Sequence, residues 1–489
     1  MQLTDLLVAT RLVTPEELEQ ALTTQAVRGG RIIEHLCAML PQRALILQDF
    51  AARLPPEPRS LEETGVHPTE LMSLLLKHMY AMRLETTPQL VDSLKLPPHL
   101  VDELIRMAIG RNLLVALGAQ GGQSNVIRYE LSENGKRWAH DSMKLSQYSG
   151  PAPVPLDVFC QRVRQQRVTS QPVSFDSVRR ALSGFDVTDA FIRKIGPALN
   201  SGRPLLMYGP PGNGKTTVAY SFANVFSSLI YLPYAIIVEG QIIRVFDPSL
   251  HRPIEAQADR AATGQVTSLR RDGYDGRWVP MRRPFVVAGG ELTLEMLDLR
   301  HDPATGFYEA PLHIKALGGC FVIDDFGRQL VSPSVLLNRW IVPMENHIDY
   351  LKLHTGKSFM VPFEAMLIFS TNLDPAELMD TAFLRRLPYK VEVAAPNRQT
   401  YRAIFENVCR RANVEFNDLI FNTIVHKVTQ EKGLELAAYH ARFIVDQVLA
   451  IARFMNVQPK LDAATIDYAV DNLSVSSSHT NKPRTLASA

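Results

Sequence analysis

Apolar positions near the start of the chain recur every three or four residues, which is the spacing of an amphipathic helix. Thr14 precedes one such stretch, Pro15 suits a first helical turn, and Glu17 can complete a capping box with Thr14. A weaker copy of the same pattern begins at Arg31. We therefore expect a small domain of helical repeats over residues 1–58.

A proline-rich stretch separates this segment from one with a different pattern. Three amphipathic stretches come first, and two short strand-like runs follow with glycines between them. The expected helices and strands cover residues 70–84, 87–94, 97–109, 113–117 and 126–131. We expect a domain over residues 66–146 and a linker over residues 147–171.

Three short runs further along the chain are almost entirely apolar, at residues 205–208, 320–323 and 365–370. Such runs are typical of parallel strands buried on both faces. A further strand is expected over residues 389–393. The pattern predicts an α/β fold with a parallel sheet flanked by helices. Its expected parts are a core over 172–394 with an insertion near 233–284, a helical domain over 395–473 and a disordered Ser/Thr-rich tail over 474–489.

Composition narrows the class of protein only slightly. Of the 489 residues, 46% are hydrophobic and 21% charged, and the net charge of +2 gives no support for a nucleic-acid partner. The four cysteines form no C-x-x-C pair, which favours free thiols in a reducing compartment. The chain has no signal-peptide start and no apolar run near the roughly 20 residues of a membrane span. We expect a cytoplasmic protein without a membrane span.

The first apolar run leads into a glycine-rich loop. Its residues are Gly209, Pro210, Pro211, Gly212, Asn213, Gly214, Lys215 and Thr216, with a helix expected from Thr217. This is the motif G-x-x-x-x-G-K-[ST] between a strand and a helix. Glycines let backbone N–H groups wrap phosphates, and the helix N-terminus favours an anion. Lys215 can reach the β- and γ-phosphates and Thr216 can bind magnesium. The loop, together with Thr217 at the start of the helix, predicts a site for ATP and Mg²⁺.

Polar residues follow two of the other runs. Asp324 and Asp325 come after residues 320–323, and Asn372 comes after residues 365–370. In this order the motifs resemble those of the AAA+ ATPases. The resemblance implies that Asp324 holds magnesium through water and that Asn372 orients the attacking water. Asp325 stands where most of that family has glutamate, the residue that polarises this water, so hydrolysis is expected to be slow.

The resemblance to the AAA+ ATPases covers residues 172–473 and includes two arginine positions. The segment Leu384-Arg385-Arg386-Leu387-Pro388 is similar to the arginine-finger segment of AAA+ unfoldases, with the match on Arg386 and Arg385 as the alternative. Such an arginine acts on the γ-phosphate of a neighbouring subunit, which implies a homo-oligomer, with a hexamer favoured. Arg442 matches sensor 2, an arginine of the helical lid over 395–473. The phosphate loop alone would also suit RecA-like or kinase P-loop folds.

The N-terminal segment resembles the tandem-repeat domain of type II secretion and pilus ATPases, some of which bind cyclic-di-GMP. Gln2, Thr4 and Arg11 replace the residues expected in the first copy, and Ile33 and Leu40 replace glycines in the second. We therefore expect no cyclic-di-GMP binding and a docking role instead.

The segment 66–146 resembles a winged helix, a module that binds DNA or protein. Its third helix carries His99, Asp102, Glu103 and Arg106, which do not form a basic face. Residues 270–283 of the insertion contain five arginines and two aromatic residues, a composition that suits either a ligand-binding loop or a solvated one. These positions are Arg270, Arg271, Arg277, Arg282 and Arg283, with Tyr274 and Trp278.

Three functions fit these patterns. The first is an ATP-driven remodeller of a protein client, with a link to secretion or pilus assembly by analogy. The second is a DNA-linked ATPase that uses the winged helix and the insertion. The third is a switch that binds ATP in order to assemble and hydrolyses little of it, which the aspartate at position 325 permits.

Overall fold

The structure is a computed structural model that describes residues 3–119, 127–185, 187–254, 273–379 and 381–473. Gln2, the expected hairpin tip, Arg270, Arg271 and the expected disordered tail lie outside the described residues. No helix in the described part of the chain has both the length and the apolar character needed to cross a bilayer.

The described chain contains α-helices and β-strands in an α/β arrangement. The helices are α1 Leu3–Ala9, α2 Pro15–Arg28, α3 Ile32–Met39, α4 Ala44–Ala52, α5 Pro68–Met82, α6 Thr87–Leu94, α7 Pro98–Gly110, α8 Glu133–Leu145, α9 Leu156–Gln165, α10 Phe175–Ala181, α11 Asp189–Ser201, α12 Lys215–Ser221, α13 Leu312–Lys315, α14 Pro333–Asn346, α15 Pro375–Leu378, α16 Thr381–Arg386, α17 Arg398–Arg411, α18 Asp418–His426, α19 Ala438–Met455 and α20 Ala463–Asp471.

The strands are β1 Leu114–Ala119, β2 Ile127–Leu131, β3 Val154–Pro155, β4 Leu205–Tyr208, β5 Leu229–Pro233, β6 Ala235–Val238, β7 Gln241–Arg244, β8 Trp278–Arg282, β9 Phe285–Ala288, β10 Arg300–Asp302, β11 Phe307–Glu309, β12 Cys320–Ile323, β13 Ile348–Lys352, β14 Ser358–Pro362, β15 Met366–Thr371 and β16 Tyr389–Glu392.

These elements form two compact units, each built from separated stretches of chain. The first unit comprises Met1–Gln171, Phe226–Phe321 and Asn338–Met366. The second comprises Pro172–Val225, Val322–Leu337 and Leu367–Ala489.

Helices α1 to α4 of the first unit enclose a small apolar core of their own, which includes Leu7, Leu18 and Leu36. The start of α2 has the expected capping box: the backbone N–H of Glu17 donates to Thr14 Oγ1, and the backbone N–H of Thr14 donates to the Glu17 carboxylate. The local helix start predicted from Thr14 and Glu17 is therefore present.

Helices α5, α6 and α7 are followed by the β1–β2 hairpin and α8, so the predicted order of three helices and two strands is present. Their shared core includes Leu75, Leu90 and Leu104. Apolar residues of the insertion, among them Ala235 and Ile237, pack on the same core. Part of the insertion is therefore integral to the first unit.

Two of the insertion's arginines are buried, contrary to either reading of that segment as a ligand-binding or a solvated loop. Arg277 binds Asp275 and donates to the carbonyl oxygens of Thr64 and Pro153. Arg283 donates to the carbonyl oxygens of Gln166 and Gly318. Tyr274 and Trp278 are also buried. These residues hold separate stretches of chain together because each guanidinium presents several donors to backbone acceptors.

In the second unit, β16, β4, β15 and β12 are neighbours in that order, and β4 pairs in parallel with both β15 and β16. All of β15 is buried, as its apolar sequence predicts. Helices α17 to α20 form a separate apolar core, which includes Tyr401, Phe405 and Ile444.

Candidate functional site

The glycine-rich loop runs from the end of β4 to the start of α12. Gly209 has φ 138°, and a Cβ atom there would lie 2.4 Å from the carbonyl oxygen of Val393. Gly212 has φ 76°, and a Cβ atom there would lie 2.2 Å from the ring of Tyr439. Both positions require glycine because a side chain would be strained and would also collide with its neighbour.

Lys215 is the first residue of α12, and its side chain is largely buried. Its ammonium donates to the carbonyl oxygen of Gly209 at 2.8 Å and to that of Pro210 at 3.0 Å. Burial lowers the pKa of Lys215, and the nearby carboxylates of Asp324 and Asp325 act in the opposite direction. The ammonium therefore lies inside the curve of the loop.

Thr216, the residue after Lys215, contacts Asp324. Thr216 Oγ1 donates to Asp324 Oδ2 at 2.8 Å, although the two residues are 108 positions apart in the sequence. A hydroxyl and a carboxylate side by side provide the hard oxygen ligands that Mg²⁺ prefers. The donor set at this point therefore fits a magnesium ion that also contacts phosphate.

Asp325 and Asn372 follow β12 and β15. Asp325 is exposed and has φ 47°, in the left-handed region that residues other than glycine rarely adopt. Asn372 accepts a hydrogen bond at Oδ1 from Arg328 Nε at 3.3 Å. Both residues line the same cavity as Lys215, Thr216 and Asp324.

This cavity has a volume of about 840 Å³. The loop residues that line it are Pro211, Gly212, Asn213, Gly214, Lys215, Thr216 and Thr217, whereas Gly209 and Pro210 are not among its lining residues. Such a volume lies within the range of small-molecule sites. The predicted phosphate-loop, acidic and Asn372 positions are thus brought to one place.

The three arginines have different positions. Arg442 lines the cavity, and its side chain is 81% exposed with Nε 3.5 Å from a carboxylate oxygen of Asp446. Arg385 is exposed and Arg386 is partly buried at the end of α16. Neither of these two is among the described residues that line the cavity. A role for Arg385 or Arg386 in the cavity of its own chain therefore has no support from this geometry.

Part of the cavity lining is apolar and was not predicted from the sequence. This part comprises Phe185, Val187, Phe191, Ile404 and Val408. These residues come from the segment before the phosphate loop and from α17. No short motif marks them, since each is an ordinary apolar residue of a helical or loop segment.

Helix α19 is joined to the glycine-rich loop by its first two backbone N–H groups. The N–H of Ala438 donates to Asn213 Oδ1 at 3.1 Å, and the N–H of Tyr439 donates to the carbonyl oxygen of Gly212 at 2.9 Å. The first N–H groups of a helix have no partner within it, so outside acceptors stabilise its start. Asn213 therefore acts as a cap for a helix that is distant in sequence.

The matching family model, described as "Domain of unknown function (DUF8689)", covers residues 397–472. No curated protein matches the chain by sequence.

Similar solved structures include a RuvB variant of Thermotoga maritima, with 13% identity over 62% of this chain and 72% of that chain and a TM-score of 0.32. NtrX from Brucella abortus has 13% identity over 75% of this chain and 61% of its own, with a TM-score of 0.33. Domain III of the Thermotoga maritima replication initiation protein DnaA has 12% identity over 62% of this chain and 98% of its own, with a TM-score of 0.33. Scores this low carry no conclusion about function.

Proposed function

We propose that this chain is a Mg²⁺-dependent ATPase of the AAA+ type. The observation that carries the proposal is the meeting of Lys215, Thr216 and Asp324 in one cavity. A glycine-lined loop, a lysine, a hydroxyl and a carboxylate are the groups that a triphosphate and its metal require. The parallel pairing of β4 with β15 and β16 supports a P-loop core.

The cavity suggests how ATP binds. Apolar lining residues such as Phe185 and Ile404 suit the adenine ring, while the loop N–H groups and the Lys215 ammonium suit the phosphates. Mg²⁺, held by Thr216 and by Asp324 through water, would neutralise charge on the β- and γ-phosphates. The Lys215 ammonium is hydrogen-bonded to the neutral carbonyl oxygens of Gly209 and Pro210, and it can exchange these acceptors for a phosphate oxygen.

Hydrolysis requires a water molecule aligned with the γ-phosphate. Asp325 would accept a hydrogen bond from this water and then take its proton, while Asn372 would hold it in line. The water oxygen forms a bond to the γ-phosphorus as the bond to the β–γ bridging oxygen breaks. ADP leaves with that electron pair. The short aspartate side chain is consistent with slow turnover.

The arginines fit a homo-oligomeric enzyme, for which a hexamer is favoured. Arg442 would contact the γ-phosphate of its own subunit, since it lines the cavity and its side chain is 81% exposed, with a long ion pair of 3.5 Å to Asp446. Arg386, or Arg385, would act on the nucleotide of a neighbouring subunit. A single chain is then expected to hydrolyse ATP poorly.

A protein client is the favoured substrate of this ATPase. The burial of Arg277 and Arg283 removes two of the basic residues that a nucleic-acid partner would need, and the net charge is only +2. The winged-helix-like segment and the N-terminal helices would serve as docking modules, with a cell-envelope role by analogy alone. Turnover stimulated by DNA, with a steep salt dependence, would instead favour a DNA-linked enzyme.

The test is nucleotide binding by the Lys215→Ala variant, measured by calorimetric titration with ATP and Mg²⁺. We expect the wild-type chain to bind and the variant to lose at least about tenfold in affinity, because the loop loses its cation. Lys352→Ala, which removes an exposed lysine from β13, is the matched control and should bind normally. Equal affinity of Lys215→Ala and wild type would overturn the assignment of the loop.

A further inference from the structure

The turn that follows β12 is held by several hydrogen bonds. This turn, residues Asp325–Gln329, is called the acidic turn after its first residue. Asp325 has φ 47°, in the left-handed region of backbone conformation. A residue other than glycine persists in that region only where surrounding bonds hold it. The bonds that hold this turn come from Gln329, from Arg328 and from the end of β15.

Gln329 uses both ends of its side-chain amide within the turn. Its Nε2 donates to the carbonyl oxygen of Asp324 at 2.9 Å and to that of Asp325 at 3.3 Å. Its Oε1 accepts from the backbone N–H of Gly327 at 2.9 Å. The backbone on both sides of the Asp325 Cα atom is therefore fixed by one side chain.

Bonds to β15 fix the turn relative to the neighbouring strand. The N–H of Phe326 donates to the carbonyl oxygen of Ser370 at 2.8 Å, and Thr371 Oγ1 donates to the carbonyl oxygen of Phe326 at 2.7 Å. Since Asn372 follows Thr371 directly, these bonds set the separation between Asp325 and Asn372.

Arg328 is hydrogen-bonded to the side chain of Asn372. Its Nε donates to Asn372 Oδ1, and the backbone N–H of Arg328 donates to the carbonyl oxygen of Asp325 at 2.9 Å. An amide whose oxygen is engaged by a guanidinium presents its NH₂ group elsewhere. The Asn372 amide is thus oriented as a hydrogen-bond donor to the cavity that it lines.

We propose that Gln329 and Arg328 are positioning residues for the two groups that act on the attacking water. Gln329 holds Asp325 in its left-handed conformation, and Arg328 orients the Asn372 amide. This inference rests on the proposed ATPase function and deepens it. The carboxylate of an aspartate is one methylene closer to its backbone than that of a glutamate, so its position depends strongly on the backbone of this turn.

The first test is the Gln329→Glu variant of the full chain, which keeps the acceptor for Gly327 and loses both donors. We expect kcat to fall at least about tenfold while the affinity for ATP and Mg²⁺ changes less than about twofold, because only the reacting geometry is disturbed. Leu330→Ala, at a neighbouring side chain that is 86% exposed, is the control and should keep the wild-type kcat. A wild-type kcat in Gln329→Glu would overturn the role of Gln329.

The second test is a double-mutant cycle between Arg328→Met and Asn372→Ala. If Arg328 acts through Asn372, Arg328→Met lowers kcat in the wild-type background and has little further effect when Asn372 is already alanine. Additive losses would overturn the orienting role. Thermal unfolding of each variant shows whether it remains folded. Arg328→Gln replaces Arg328→Met, and Asn372→Ser replaces Asn372→Ala, if the first choice does not fold.

The two proposals can fail separately. If wild-type chain neither binds nor hydrolyses ATP, the proposed function is wrong. If wild-type chain hydrolyses ATP and Asp325→Asn does not, while Gln329→Glu and Arg328→Met both match wild type, only the positioning inference is wrong.

Discussion

The insertion of the first unit and the phosphate loop of the second unit both contain buried cations, but the cations have different partners. Arg277 binds the buried carboxylate of Asp275 and two backbone carbonyl oxygens. Lys215 donates hydrogen bonds to two backbone carbonyl oxygens, has the Asp324 and Asp325 carboxylates nearby, and lines a cavity of about 840 Å³. Removal of Arg277 would leave the buried Asp275 carboxylate without its cation, so Arg277 has a structural role. Lys215 lines a cavity and can bind an anion there.

The largest expected effect on stability tests whether Arg277 has a structural role. Arg277→Met leaves Asp275 buried without its cation, so we expect the free energy of unfolding to fall by about 3 kcal/mol in a urea titration. Arg282→Met, at an exposed position of β8, is the matched control and should change it by less than about 0.5 kcal/mol. Equal effects of the two variants would contradict a structural role specific to Arg277.

A smaller effect concerns His78, another fully buried basic group of the first unit. Burial lowers the pKa of His78 from 6.5 to about 4. Between these values the unfolded chain binds more protons than the folded chain, so the free energy of unfolding falls as the pH falls. We expect His78 to account for a loss of about 2 kcal/mol between pH 7 and pH 5.

The measurement is urea unfolding of wild type and His78→Phe at both pH values. The variant keeps an aromatic ring and lacks the titrating group, so its loss of stability on going to pH 5 should be smaller by that amount. The same pH dependence in both proteins would show that His78 does not titrate in this way.

The smallest effect is expected in the acidic turn of the second unit. Glycine adopts the left-handed conformation of Asp325 without strain, whereas alanine does not, so Asp325→Gly should be more stable than Asp325→Ala by about 1 kcal/mol. Thermal unfolding of the two variants measures this difference. If alanine were the more stable, the left-handed backbone at this position would be wrong.

Much of the site could be predicted from the sequence because its polar residues directly follow apolar strands. The loop around Lys215 has a fixed spacing, and Asp324 and Asn372 each come at the end of a run that forms a buried strand. Such signals are local, and the structure brings these residues together in one cavity.

Other features depend on residues far apart in the chain and gave no local signal. Asn213 caps Ala438 across 225 positions, and Arg277 reaches Thr64 across 213 positions. The sequence showed the arginines of the insertion as a possible ligand-binding set because exposure could not be judged from spacing. The left-handed backbone of Asp325 likewise depends on bonds from Gln329, whose role no motif indicates.

The central claim is that this chain hydrolyses ATP and that Asp325 takes the proton of the attacking water. The most direct test is phosphate release from ATP by the wild-type chain and by Asp325→Asn, at saturating ATP and Mg²⁺. Asparagine has nearly the shape of aspartate and tolerates the left-handed conformation, but it cannot accept the proton of the attacking water. We expect slow phosphate release by wild type. The rate should be lower by at least about a hundredfold in the variant, which still binds ATP. Equal release by the two proteins, or none by wild type under assembled conditions, would contradict this claim.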